Sequence, residues 1–192
     1  MIAGTIKLRS SVQVNRENEL VAQARYDSTA FVRLYRRHYD AIFRYCVHRL
    51  FEKTAAEDVT SEVFLKVVEK FDYFNGSEKQ FRNWLYKIAT NAVNNHLRKS
   101  ARRNNLLKIA GEQLTEKAEN CEQAVEKMAI LKVAMLTLKP KYQTIITLRF
   151  FENLKLTEIA EVLDCNSGTV RSQLSRALAR LRKKMGKEFI EK

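Results

Sequence analysis

The stretch "LTEIAEVLDCNSGTVRSQLSRALARLRKKM", Leu156–Met185, decides the reading of the fold. Ile159, Ala160 and Leu163 recur at helical spacing before a short polar break. Val170, Leu174, Ala177, Leu178 and Leu181 do so after it. Asn166 or Ser167 is placed to cap the second segment. A short helix, a tight turn and a second helix with one packing face make a helix-turn-helix. The other face of that second helix carries Arg171, Ser172, Ser175, Arg176 and Arg182. Arginine pairs bidentately with guanine, and serine bonds to phosphates or base edges. A solvated basic helix would explain the charge alone. The capped turn, the small Ala160 at the helix crossing and the clean two-face split favour a DNA-reading helix.

The rest of the chain is consistent with that partner. Its 192 residues allow one ordinary domain or two small ones, and a 45% hydrophobic content permits a packed core. Five glycines and one proline are too few for a turn-rich sheet protein, so an all-α fold is expected. The net charge of +13 calls for a polyanion, either nucleic acid or an anionic membrane. No apolar run approaches the roughly 18 residues of a spanning helix, and the start lacks a signal-peptide core. A cytoplasmic protein without membrane insertion is expected. Cys46, Cys121 and Cys165 are far apart, and His38, His48 and His96 have no ligand spacing, so no metal or cofactor is expected.

Two further units precede the helix-turn-helix. Phe31, Leu34, Tyr35, Ile42, Tyr45, Cys46 and Leu50 follow helical spacing, with Asp27 or Ser28 as cap, after about 15 frayed residues. Thr54 with Glu57 reads as a capping box for a helix buried through Val59, Val63, Val67 and Phe71, widened by Phe64 and Val68. Asp58, Ser61, Glu62 and Leu65 share another face, which is either solvated or a protein-docking surface. Ser77 with Gln80 opens a long helix with Phe81, Leu85, Ile88, Ala92 and Leu97 inside. Lys87, Asn91, Asn94, Arg98 and Arg102 repeat at spacings of three and four on its opposite side. Aromatic residues ahead of this basic stripe fit single-strand stacking, with Phe74 the candidate for base contact.

The polar, acidic segment 104–121 reads as an interdomain linker. A domain from 16 to 103 precedes it, and one from 122 to 187 follows. In the second, Val125, Met128, Leu131, Met135 and Leu138 space as a helix, Pro140 fits a first helical turn, and Thr157 is placed to cap the helix before the turn. No Gly-rich phosphate loop, HExxH or nucleophile elbow occurs, so an enzyme is not expected.

"FVRLYRRHYDAIFRYC", "AEDVTSEVFLKVVEKF", "FRNWLYKIATNAVNNHLRK" and "LKPKYQTIITLRFFENLKLTEIAEVLDCNSGTVRSQLSRALARLRKKM", in this order, resemble the extracytoplasmic-function group of the sigma-70 family. The resemblance covers about residues 20–102 and 122–185. It implies a sigma factor that binds core RNA polymerase through its β and β′ subunits and directs promoter recognition, melting and transcription initiation. By that resemblance Asp58, Ser61, Glu62 and Leu65 dock on polymerase. Phe74, Asn75, Lys87, Asn91, Asn94, Asn95 and Arg98 hold the minus-ten strand. Arg149, Thr169, Arg171, Ser172, Ser175 and Arg176 contact the minus-thirty-five element. It also implies promoter DNA and an anti-sigma factor as partners, and a monomer when free. Ser61 stands where the family usually has glutamine, and Asp164 where the turn usually has glycine. The competing readings are a stand-alone dimeric helix-turn-helix regulator and a sigma-like decoy for an anti-sigma factor.

Overall fold

The computed structural model describes residues 19–109 and 123–185. The expected fraying of the first residues, Cys121 and most of the acidic linker lie outside them. Side chains are described for 19–103 and 130–185. The described residues are helical, with no strand among them. In order they form α1 (Ser28–Leu50), α2 (Lys53–Lys70), a 3-10 turn (Phe71–Tyr73) and α3 (Glu78–Ile109). There follow α4 (Gln123–Leu136), α5 (Pro140–Ile146) with a π-helical continuation (Thr147–Phe151), α6 (Leu156–Leu163) and α7 (Ser167–Met185).

Local chemistry sets most of the helix ends. Asp27 accepts from the Thr29 amide at 2.8 Å and starts α1. The box at α3 forms as the sequence predicts: Ser77 Oγ accepts from the Gln80 amide at 3.3 Å, and Gln80 Oε1 accepts from the Ser77 amide at 2.8 Å. Pro140 occupies the first turn of α5. The box expected between Thr54 and Glu57 does not form. Glu52, two residues before Thr54, takes the Thr54 and Ala55 amides at 2.7 Å each, and those bonds hold its carboxyl below the usual range. A longer carboxylate side chain reaches two amides where a threonine reaches one. Thr157 is not a cap either: α6 begins one residue before it, and Glu158 accepts from the Lys155 amide at 2.8 Å. Helix α3 runs on to Ile109.

Helices α1, α2 and α3 form a bundle. Leu34, Ile42, Tyr45 and Cys46 of α1 meet Val59, Val63, Phe64 and Val67 of α2 and Phe81, Leu85, Ala89 and Val93 of α3. Full burial of such a side chain stabilises by about 1.5–3 kcal/mol. Val68, expected in this core, is 58% exposed, because the bundle's interior ends at the stripe through Val63 and Val67. The C-terminal helices pack their own smaller cluster of Met135, Leu138, Tyr142, Ile146 and Ala177. They also lie directly on the bundle. The larger cluster continues into Ile145, Leu148, Leu154, Ile159, Val162 and Val170, while Phe51 at the end of α1 packs on the smaller one.

Candidate nucleic-acid interface

The turn between α6 and α7 closes as aspartate permits. Asp164 sits in the left-handed region at φ 55°, ψ 50°, which aspartate tolerates better than most residues. The Cys165 amide bonds back to the Ala160 carbonyl at 3.0 Å, so the carbonyls at the end of α6 are satisfied. Asn166 Oδ1, the nearer of the two expected caps, accepts from the Thr169 amide at 2.7 Å. Val170 and Ala177 are fully sealed, and Leu174, Leu178 and Leu181 are half-buried. This leaves Arg171, Ser172, Ser175 and Arg176 exposed, with Thr169 half-buried at the start of the face. Ser172 Oγ donates to the Thr169 carbonyl at 3.0 Å. Arg149 is exposed but donates to the Leu154 carbonyl at 3.0 Å, so it also braces the loop leading into α6. Arg180 lies 4.8 Å from the Tyr142 ring centre, a cation–π contact that ties α7 to α5.

The loop ahead of α3 is built on aromatic rings. Phe71 is buried and meets Phe31 edge-on at 5.1 Å and Phe81 at 5.8 Å. Phe74, expected as the base contact, is half-buried and stacked on Trp84 at 5.0 Å. Its carbonyl accepts from Arg25, which pins the loop to the N-terminal segment. A Cβ on Gly76 would stand 2.9 Å from Gln80 Oε1 and 3.0 Å from the Phe74 ring, so the capped loop has no room there. The exposed aromatic beside this loop is Tyr73, at 87%, which periodicity did not single out.

Along α3, Asn91 and Arg98 are exposed, and Asn95 accepts from Arg98. Asn94 is half-buried and accepts from Arg49 at 3.1 Å. Lys87 lies 3.4 Å from Asp164 of the helix-turn-helix turn. Asn75 is exposed on the loop. The residues expected at the minus-ten strand thus lie on one helix and its leading loop; Lys87 and Asn94 are engaged by Asp164 and Arg49, Asn95 and Arg98 by each other, and Phe74 by Trp84.

On α2, Asp58, Ser61, Glu62 and Leu65 are all exposed on one side. Ser61 Oγ donates to the Glu57 carbonyl at 3.0 Å, and Glu62 pairs with Lys66. Leu65 and Val68 are 60% and 58% exposed, so the acidic face carries an apolar patch. Val68 belongs with this exposed face rather than the core.

Sequence reasoning missed the contact between the two halves. Arg49 is fully buried and donates to Gln143 Oε1 at 2.5 Å. Arg82 donates to Glu158 at 2.7 Å, Asn83 to Glu161 at 2.6 Å, and the Tyr86 hydroxyl to Glu152 at 2.8 Å. Burial and the neighbouring Glu152 carboxylate raise the Tyr86 phenol well above its usual range, so it stays a donor. Residues more than sixty positions apart supply these partners, and no local period marks them.

Comparison with known proteins agrees with this arrangement. Residues 34–103 match the family described as "Sigma-70 region 2", and residues 128–181 match "Sigma-70, region 4". The chain is 35% identical over 172 residues to the ECF RNA polymerase sigma factor BldN of Streptomyces coelicolor, covering 86% of this chain and 64% of that one. It is 31% identical over 170 residues to the ECF RNA polymerase sigma factor SigW of Bacillus subtilis, covering 83% of this chain and 90% of that one. Its fold is shared with the sigma factor RpoE of Bartonella quintana, solved with the anti-sigma factor NepR, at a TM-score of 0.67, 22% identity, and coverage of 84% and 98%. CnrH, solved with the cytosolic domain of CnrY, gives 0.67 at 22% identity, with coverage of 87% and 95%. The chain belongs to the extracytoplasmic-function group of the sigma-70 family, the RNA polymerase sigma factors of promoter recognition and transcription initiation.

Proposed function

We propose that the chain is a non-catalytic initiation subunit whose two halves divide the promoter between them. Residues 16–103 dock on the β′ subunit through Asp58, Ser61, Glu62 and Leu65, with Val68 extending the patch. The same half holds the melted minus-ten strand through Asn75, Lys87, Asn91, Asn94, Asn95 and Arg98. The Phe74 ring, stacked on Trp84, shapes that loop and offers its outer edge to a base. Residues 122–187 place α7 in the major groove at the minus-thirty-five element, with Arg149, Thr169, Arg171, Ser172, Ser175 and Arg176 in contact and the β subunit behind. The linker joins the halves along the polymerase. The sigma factor RpoE, which shares this fold, is solved with the anti-sigma factor NepR, and an anti-sigma partner belongs to this reading. The factor works in the cytoplasm with the polymerase and is a monomer when free.

One observation carries the reading of α7. Its apolar stripe is sealed at Val170 and Ala177, while Arg171, Ser172, Ser175 and Arg176 stand exposed together on the other side. A merely solvated basic helix has no need of so clean a division. Run-off transcription with core polymerase on a genomic promoter library tests it. Arg171→Ala and Arg176→Ala are each expected to weaken holoenzyme binding to the promoter by about 1–3 kcal/mol. Unchanged promoter affinity and selectivity in both would remove α7 from the reading role, and a footprint obtained without polymerase would favour a stand-alone regulator.

A further inference from the structure

The chain ahead of α1 is tied into the bundle. Residues 19–23 make a short helical turn, and Leu20, Val21 and Ala24 are buried in the same core as Leu34 and Phe81. The Ala24 amide bonds to the Leu20 carbonyl at 3.0 Å, and the Tyr26 and Asp27 amides both bond to the Gln23 carbonyl at 3.0 Å. Asp27 then caps α1. Arg25 therefore stands on backbone fixed from both sides, and its guanidinium donates to the Phe74 carbonyl, 49 positions on. We infer that Arg25 is a positioning residue for the loop 74–77: it sets how that loop presents Asn75, and so tunes the choice of minus-ten bases, without itself touching DNA. The inference rests on the minus-ten role proposed above for Phe74 and Asn75, and it adds a residue outside the stretch 34–103 that matches sigma-70 region 2.

The lever is a peptide plane. The Phe74 carbonyl and the Asn75 amide belong to one planar unit, so holding that carbonyl fixes the direction in which Asn75 leaves. Phe74 has extended backbone, φ −76° and ψ 126°, directly after the 3-10 turn. Its ring is stacked on Trp84 at 5.0 Å and meets Phe81 edge-on at 5.4 Å. Its own amide donates to the Phe71 carbonyl at 2.9 Å. At the far end the Ser77 amide donates to Gln80 Oε1 at 2.8 Å. Between these anchors stand the exposed Asn75 and then Gly76, where Gln80 and the Phe74 ring leave no room for a Cβ. Arg25 acts on the plane joining Phe74 to Asn75, and a turn of that plane re-aims Asn75 while the anchors stay in place.

The donor type fits a positioning role. A guanidinium is planar, always charged and holds its donors in a fixed fork, whereas a lysine ammonium is a point charge on a flexible stem. Its bond to a neutral carbonyl is charge-assisted, roughly twice as strong as a neutral one. Arg25 is half-buried, so water competes less for the carbonyl than it would on an open surface. With Leu20, Val21 and Ala24 seated in the core behind it, the guanidinium holds the loop against a fixed point.

The test uses holoenzyme assembled from core polymerase and the full chain, on a promoter taken from the run-off library. Transcript yield is measured for every single-base change in the minus-ten and minus-thirty-five elements. Arg25→Ala should lower discrimination between the preferred minus-ten base and its substitutes by about tenfold, the worth of one charge-assisted bond. Preferences at minus thirty-five should stay as they were. Arg25→Lys should restore part of the lost discrimination. Arg33→Ala, the same charge loss at an exposed position of α1, should change neither element. Unchanged minus-ten discrimination in Arg25→Ala, or equal losses at both elements, overturns the inference. So does a uniform weakening across all minus-ten sequences with a shallower salt dependence, the mark of a direct phosphate contact. Asn75→Ala keeps the two readings apart. Altered minus-ten discrimination there with none in Arg25→Ala removes Arg25 alone, and none in either removes the loop's role with it. Melting curves matching the unaltered chain verify folding, and Arg25→Gln, which keeps part of the stem, replaces Arg25→Ala if that variant melts early.

Discussion

The bundle of α1–α3 and the seam that joins it to the C-terminal helices are both buried, yet they are made of different material. In the bundle Leu34, Ile42, Tyr45, Val63, Phe81 and Leu85 meet with almost no exposed area, and the buried Tyr45 hydroxyl is satisfied by Thr90 at 2.8 Å. At the seam apolar contacts such as the Phe151 ring on His48, 4.2 Å apart, alternate with buried or half-buried polar groups. Five buried polar atoms at the seam, on His48, Arg49, Arg82, Asn83 and Glu152, make no hydrogen bond among the described residues, and the pair His48 Nδ1 and Glu152 Oε1 stands 3.8 Å apart. Permanent cores satisfy nearly all such groups, whereas surfaces that must part company with one another stay more polar. We read the bundle as the fixed scaffold and the seam as an interface built to open. On the function proposed above, Lys87 and Asn94 leave their internal partners, Asp164 and Arg49, when they bind DNA.

The comparison can be broken at its strongest point first. Leu85→Ala empties a fully buried site on α3 and is expected to cost 2–5 kcal/mol in urea unfolding, roughly what such cavities cost elsewhere. A loss well below that would mean the bundle is not the rigid half. The bundle also carries a pH signature. Burial, then Arg37 and Arg82, pushes the His38 pKa down from 6.5 to about 4. Its Nε2 lies 3.6 Å from Glu78, but Arg37 holds both oxygens of that carboxylate at 2.8 Å, so burial wins. As pH falls through 6.5 the unfolded chain takes up this proton and the folded chain does not until about pH 4. The stability is whole above pH 6.5 and drains away between those values, by on the order of 3 kcal/mol across the window. His38→Gln should flatten that slope in pH-dependent unfolding, and an unchanged slope would rule the histidine out. Arg49→Met should cost less, about 1–3 kcal/mol, because it leaves Gln143 and Asn94 without their donor while keeping the apolar stem. Amide hydrogen exchange should show the loosening in α5 and α6, with α1 and α2 little changed. Equal loosening throughout would erase the distinction between scaffold and seam.

What could be read from the sequence was what depends on neighbours in the chain. Asp27, Ser77 with Gln80, and Asn166 cap the helices they precede, and Asp164 adopts the left-handed turn that an aspartate permits. The stripe through Val59, Val63 and Val67 is buried because its period of four matches the helix. The exposed face of Asp58, Ser61, Glu62 and Leu65 followed from the same period. What escaped depends on partners far away. Arg49, Asn83 and Glu158 look like solvent-facing residues by local pattern, and only the meeting of the two halves buries them. Val68 fits the apolar period yet is exposed, since period alone does not mark where the core ends. The Phe74 ring was legible as aromatic and near the basic stripe, but its stacking on Trp84 was not.

The distance across the seam, measured by electron–electron double resonance, tests this division most directly. Spin labels at Glu69→Cys on α2 and Lys183→Cys on α7, both exposed positions, report on the seam in a chain whose three native cysteines are replaced by alanine. Labels at Asp40→Cys and Glu69→Cys report on the bundle. The expected result is a narrow distance across the seam in the free chain that lengthens when core polymerase is added, with the bundle pair unchanged. A seam distance that polymerase leaves unaltered, or one already broad in the free chain, would contradict it.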